Sequence, residues 1–151
     1  MGLYHLDNGI ENLLYEYFMD SSRKWILKPG VVSLFEQLKR NQINLAIISN
    51  FSSKLSTIID ELNIKHYINY LLVSQDVGLE KPNILFYKNF LIESSFLSSE
   101  TIYIGDNYIL DYLPATSLGI RTYLLDENDF FCLNKMAIKN INKVSQLINY
   151  Y

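Results

Sequence analysis

The sequence predicts an α/β fold, a doubly wound layer in which parallel strands alternate with helices. Three observations predict it. Short apolar runs, Ile43 to Ile48 and Ile102 to Ile104, have the length and near-continuous hydrophobicity of strands buried on both faces. The segments between them carry apolar side chains at helical spacing. Strands and helices then alternate along the chain, the order that a parallel sheet with crossover helices requires.

Each element has its own signal. Residues 10 to 20 (IENLLYEYFMD) show helical periodicity. Pro29 suits the first turn of a second helix reaching about Arg40, with Val31, Leu34, Phe35 and Leu38 as its core stripe. The run Ile43 to Ile48 is a strand ended by Ser49-Asn50, and Leu55, Ile58, Ile59 and Leu62 share one face of a helix from about Ser53 to Leu62. Tyr70 to Val73 reads as a short strand, and Val77 to Pro82 as a turn into a helix from Ile84 to Ile92. After the strand Ile102 to Ile104, a helix is expected from about Ile109 to Ser117, with Pro114 marking a kink or a fresh start and Gly119 a stop. Ile120 to Leu125 reads as a further strand, Asp126 to Lys135 as irregular, and Val144 to Tyr150 as a terminal helix.

Composition bounds the function. Hydrophobic residues make up 49% of 151, enough for one packed domain and against disorder. A net charge of -3 with no Lys/Arg cluster argues against a nucleic-acid surface. The single Cys, Cys132, excludes an internal disulfide and fits a reducing compartment. With only His5 and His66 beside it, a Cys/His zinc site is excluded in practice. No apolar stretch approaches a membrane span, and the N-terminus lacks the basic and apolar regions of a signal peptide. The expected location is intracellular, in the cytoplasm, with no membrane partner.

Chemistry gathers at strand ends and turns. Ser49-Asn50 follows INLAII, Lys81 precedes Pro82, and Asp106 and Asp111 follow Ile102-Tyr-Ile-Gly105. Ligands of open α/β sheets sit outside the carboxyl ends of strands. Two carboxylates held close there call for a cation or a donor, and a hard ion with oxygen ligands, Mg²⁺ above all, suits them. Hydroxyl and backbone N–H groups at Ser49-Asn50 and the ammonium of Lys81 would complete a phosphate site. Each group also has a plainer reading. Ser49-Asn50 is a turn and N-cap, Lys81 a solvated lysine, and Asp106 the cap of a helix that carries Asp111 on its solvated face.

These segments resemble three motifs of the haloacid-dehalogenase-like (HAD) hydrolase superfamily. IISNFSSKL is similar to its second motif, GLEKPNILFY to its third, and IYIGDNYILDYLPATSLGI to its fourth. The order Ser, Lys, then Asp separates this pattern from receiver domains of two-component signalling, whose acidic residues come first. The resemblance covers about residues 14 to 125, and its detail is most similar to the group called haloacid dehalogenase-like hydrolase domain-containing protein 3. It implies a Rossmannoid parallel sheet with helices on both faces. It also implies phosphatase-type hydrolysis of a small phosphorylated metabolite with Mg²⁺ as cofactor. By it, Ser49 (with Asn50) would bind the transferring phosphate and Lys81 would stabilise its charge. Asp106 would bind Mg²⁺, and Asp111 would support the metal shell or orient Lys81.

The same resemblance implies an Asp nucleophile in a D-x-D pattern after a first strand. Before Ser49 the nearest candidate is His5-Leu6-Asp7, where His5 takes the nucleophile's place; Asp20 and Asp126 lack the pattern. The chain is therefore expected to begin inside the family's helical cap, with residues 1–27 a cap remnant and 28–151 an incomplete α/β core. The missing strand would lie centrally, between the strands bearing Ser49 and Asp106. Two edges would then expose unpaired backbone groups. The expectation is a chain that is inactive and poorly soluble alone, or pairs with a polypeptide that completes the sheet, or closes the gap between its strands. The alternative is a non-catalytic module: a truncated isoform or pseudo-phosphatase that binds phosphate, Mg²⁺ or a protein.

Overall fold

The computed structural model describes residues 25–125 and 140–141. The expected helices at 10–20 and 144–150, and the irregular stretch at 126–135, lie outside the described residues. In chain order the elements are α1 (Val31–Arg40), β1 (Leu45–Ser49), α2 (Leu55–Glu61), β2 (Ile68–Val73), α3 (Ser74–Val77), α4 (Ile84–Ser94), β3 (Ile102–Gly105), α5 (Leu113–Ser117), β4 (Arg121–Leu125) and β5 (Asn140–Ile141). A π-helical segment, Tyr108–Tyr112, joins β3 to α5. All strand pairings are parallel, as the alternation of elements predicts.

The strands form two sheets instead of one. Among the described residues β1 pairs only with β2, and the other sheet runs β3-β4-β5. Between the free edges of β1 and β3 lies a slot of about 610 Å³, walled by Asn44 to Ile48 on one side and Thr101 to Ile104 on the other. The gap expected at the centre of the sheet is therefore present among the described residues. It also corrects the expectation that β1 is buried throughout: every residue from Leu45 to Ser49 is half-buried. The sequence of β1 suits full burial, but one edge of the strand has no neighbour among the described residues.

Helices cover both faces, and the two-residue period of the strands assigns residues to them. Leu34 of α1 is buried with Tyr123, and Phe35, Leu38, Ile102 and Leu125 pack around that pair. Tyr103, the next residue along β3, faces the opposite cluster, where Leu72 packs with Phe86, Tyr87 and Phe90 of α4 and with Ala115 and Ile120. Ala46 and Ile48 of β1 join the same cluster. α4 thus holds the two sheets in one body although their backbones do not pair. Phe86 and Tyr87 have no exposed surface, and truncating such an aromatic to Ala costs about 3–5 kcal/mol.

Local signals explain the element ends. α1 starts at Val31, two residues after Pro29, because Gly30 takes a left-handed conformation (φ 89°) as its N-cap. Asn83 caps α4 by accepting from the Leu85 N–H. Pro114 lies in the first turn of α5, so it marks a fresh start after the π-helical segment.

Candidate functional site

The site is built at the carboxyl ends of β1 and β3. Ser49 is the last residue of β1, in register with Val73 of β2. The loop behind it is tied down: the Phe51 N–H donates to Ser74 Oγ at 3.1 Å and the Ser53 N–H to Gln75 Oε1 at 2.9 Å. The Ser49 hydroxyl makes no hydrogen bond among the described residues. Ser52 Oγ is buried and likewise has no described partner.

Asn50 holds Lys81. Its Nδ2 donates to the Lys81 carbonyl at 2.9 Å, and its Oδ1 accepts from the Lys81 N–H at 2.7 Å. This paired link fixes the residue before Pro82 against the end of β1. The phosphate contacts expected at Ser49-Asn50 come from a hydroxyl and backbone N–H groups, which this link leaves in place. The amide is turned to the Lys81 backbone, and its task is to position that residue.

The Lys81 side chain then reaches across to the fourth-motif segment. Its Nζ lies 2.6 Å from Asp111 Oδ1 and 3.4 Å from Tyr103 Oη. The side chains of Lys81 and Asp111 are only 14% and 3% exposed, which excludes the plain readings of a solvated lysine and of Asp111 on a solvated helix face. The Tyr103 hydroxyl donates to the same Asp111 oxygen at 2.7 Å, and the Asn107 N–H donates to Oδ2 at 3.0 Å. Three donors therefore neutralise and hydrogen-bond one buried carboxylate, the condition under which a buried charge is tolerated. Burial, and then the Asp111 charge, push the Tyr103 phenol far above its ordinary range. It stays protonated and remains a donor. Tyr87 is also shifted upward, chiefly by burial, and its hydroxyl donates to the Leu110 carbonyl at 2.5 Å.

Two further residues make this arrangement possible. A methyl group built on Gly105 would overlap the Asp111 side chain, so the glycine gives the carboxylate its seat against the end of β3. Asn107, not Asp106, caps the following segment: its Oδ1 accepts from the N–H groups of Ile109 and Leu110, each at 2.9 Å. Asp106 is exposed, and its carboxylate has no hydrogen bond or ion pair among the described residues.

Asp106 and Asp111 are thus different groups. Asp111 is bonded to Lys81, Tyr103 and Asn107 and holds the Lys81 ammonium in place. No cluster of three or more His, Cys, Asp and Glu able to hold a metal occurs among the described residues. Sequence reasoning missed Tyr103, Tyr87 and Asn107. With 12 Tyr in the chain, a tyrosine carries no local signal. Asn107, in contrast, stands directly after Asp106 and is a strong N-cap type, a signal that was available.

A mostly buried Lys–Asp pair thus stands at the carboxyl ends of parallel strands in an α/β protein, the edge where ligands of such sheets sit. Residues 4–125 match the family described as haloacid dehalogenase-like hydrolase, and the chain belongs to that family. It is 29% identical over 127 residues to haloacid dehalogenase-like hydrolase domain-containing protein 3 of Danio rerio, covering 84% of this chain and 48% of the relative. It is 28% identical over 126 residues to glyceraldehyde 3-phosphate phosphatase of Methanothermobacter thermautotrophicus, covering 79% of this chain and 56% of that enzyme. Among solved structures, a HAD phosphatase from Thermococcus onnurineus superposes with a TM-score of 0.76 at 21% identity, over 96% of this chain and 65% of the other. That likeness shows the HAD-like α/β fold. The chain spans about half the length of the domain-containing protein 3 relatives it matches. No described helix is long and apolar enough to cross a membrane.

Proposed function

We propose that this chain carries the phosphate- and metal-binding part of a Mg²⁺-dependent phosphatase for small phosphate monoesters, and that its 151 residues alone do not turn over substrate. The observation that supports this most is the Lys81 ammonium, held by Asp111 and Tyr103 at the shared strand-end edge. Phosphoryl transfer depends on positioning and charge stabilisation, which a fixed, poorly solvated cation supplies. The free hydroxyl of Ser49 offers a donor to a phosphate oxygen. Asp106 fits a Mg²⁺ ion as one hard oxygen ligand, since this ion uses one or two carboxylates with waters and phosphate oxygens. Bound there, the ion would neutralise phosphate charge and polarise the ester.

The inactivity follows from the same residues. Lys81 and Asp111 are engaged with each other, Asp106 suits the metal, and no D-x-D pattern follows an apolar strand in the sequence. The second reading is a non-catalytic phosphate- or Mg²⁺-binding module. Both readings require the anion site, and the ³¹P line width of inorganic phosphate with Mg²⁺ tests it. The expected result is broadening by the chain, weakened in Ser49→Ala and lost in Lys81→Met. The Ser49→Ala variant removes a hydroxyl with no described partner and so leaves the fold intact. Equal broadening by all three proteins would remove the site from consideration.

A further inference from the structure

We infer that the outer face of α4 is a docking surface for a second copy of this chain, the two α4 helices lying side by side and parallel about a two-fold axis along their length. The inference does not draw on the hydrolase reading.

A surface helix carries apolar residues on its core stripe and polar residues opposite. α4 departs from that rule. Phe86, Tyr87 and Phe90 fill its core side and are buried. Leu85 and Ile92 are nonetheless apolar on the other side, 53% and 74% exposed. They stand two helical turns apart, so they share one line along the helix, and Asn89 lies between them on the same ridge. A single exposed leucine is ordinary. Two large aliphatic side chains on one ridge form a surface that contact with a partner would remove from water.

The charges beside the ridge specify the partner. Lys88 and Glu93 are exposed, and neither is in an ion pair among the described residues. They flank the ridge on opposite sides, each about 70° around the helix from it. A two-fold axis parallel to α4 keeps the two helices parallel and exchanges these sides. Lys88 of each copy then faces Glu93 of the other, about 7.5 Å further along the axis, a step that two long side chains span. This is the relation of g and e positions in paired parallel helices, with Leu85, Asn89 and Ile92 in the d, a and d places. Each ridge residue meets its own counterpart, and an Asn at one a position fixes register and oligomer state. Antiparallel pairing would instead set Lys88 beside Lys88 and Glu93 beside Glu93, an arrangement of like charges. One face thus carries both halves of each charge pair, which is the self-complementarity that an isologous contact needs. α4 has 11 residues. A ridge of that length makes a contact of the weak, transient class, below about 1,200 Å².

Sedimentation equilibrium of the whole chain, from about 10 μM to about 1 mM, tests this. The expected result is a monomer at the low end and a growing dimer fraction toward the high end. Ile92→Glu, at an exposed position, should abolish the dimer and leave the circular dichroism spectrum unchanged. Lys88→Glu and Glu93→Lys should each weaken it by about 5-fold, and the double variant should restore it. The two single variants move the net charge in opposite directions, so general repulsion cannot weaken both. Three results would overturn the inference: a monomer throughout the range, association that persists in Ile92→Glu, or single variants whose losses the double variant does not recover. The second would assign self-association to another surface, and the third would mean that Lys88 and Glu93 do not meet across the contact.

Discussion

Lys81 Nζ lies 2.6 Å from Asp111 Oδ1, and the two residues are joined across 30 positions of sequence by a mostly buried ion pair. A buried charge pair of this kind does little for net stability, but removing one partner leaves the other charge uncompensated. Asp111→Asn keeps the shape and removes the charge. It is expected to destabilise the chain by about 3 kcal/mol or more. Combined with Lys81→Met, the loss should be smaller than the sum of the single losses by about 1–3 kcal/mol. Urea denaturation of the four proteins measures this, and additive losses would mean the pair is not coupled.

Gly105 and Asp111 form the second dependence. Gly105→Ala places a methyl group where the carboxylate sits. The expected cost is about 1–3 kcal/mol from overpacking. Because the displaced group is Asp111, the same variant should also broaden the ³¹P line of inorganic phosphate less than the wild type does. A stability loss with unchanged broadening would mean that Asp111 keeps its place.

Tyr103 gives the stability a pH dependence of known sign. Its folded-state pKa is raised above the ordinary phenol value of 10.0, first by burial and then by Asp111. Its contribution is fully present below pH 10. It is lost as pH rises above 10, because the unfolded chain then releases a proton that the folded chain retains. Tyr87 acts in the same direction. Urea midpoints between pH 9 and about 11 should fall more steeply in the wild type than in Tyr103→Phe. Parallel curves would show that Tyr103 ionises as readily folded as unfolded.

Much of the fold was legible because apolar periodicity is a local property. The stripe of Leu34, Phe35 and Leu38 and the runs ending at Ser49 and Gly105 each needed only a few neighbouring residues. What the sequence alone could not settle depends on distant partners. INLAII looks like a fully buried strand, yet β1 is half-buried because its burial depends on a neighbour that the described residues do not provide. Lys81 and Asp111 were legible as chemistry by motif. The bonds from Asn50 to Lys81 and from Tyr103 to Asp111 were not, since each joins different elements through an ordinary polar side chain.

Mg²⁺-dependent hydrolysis of a generic phosphate monoester, by the purified chain beside Asp106→Ala, tests the central claim most directly. That claim is that these residues bind phosphate and metal but hold no nucleophile. The account predicts no turnover above background by either protein, while the wild type still broadens the phosphate signal. Turnover by the wild type that Asp106→Ala abolishes would contradict it, because a group within this chain would then be attacking phosphorus.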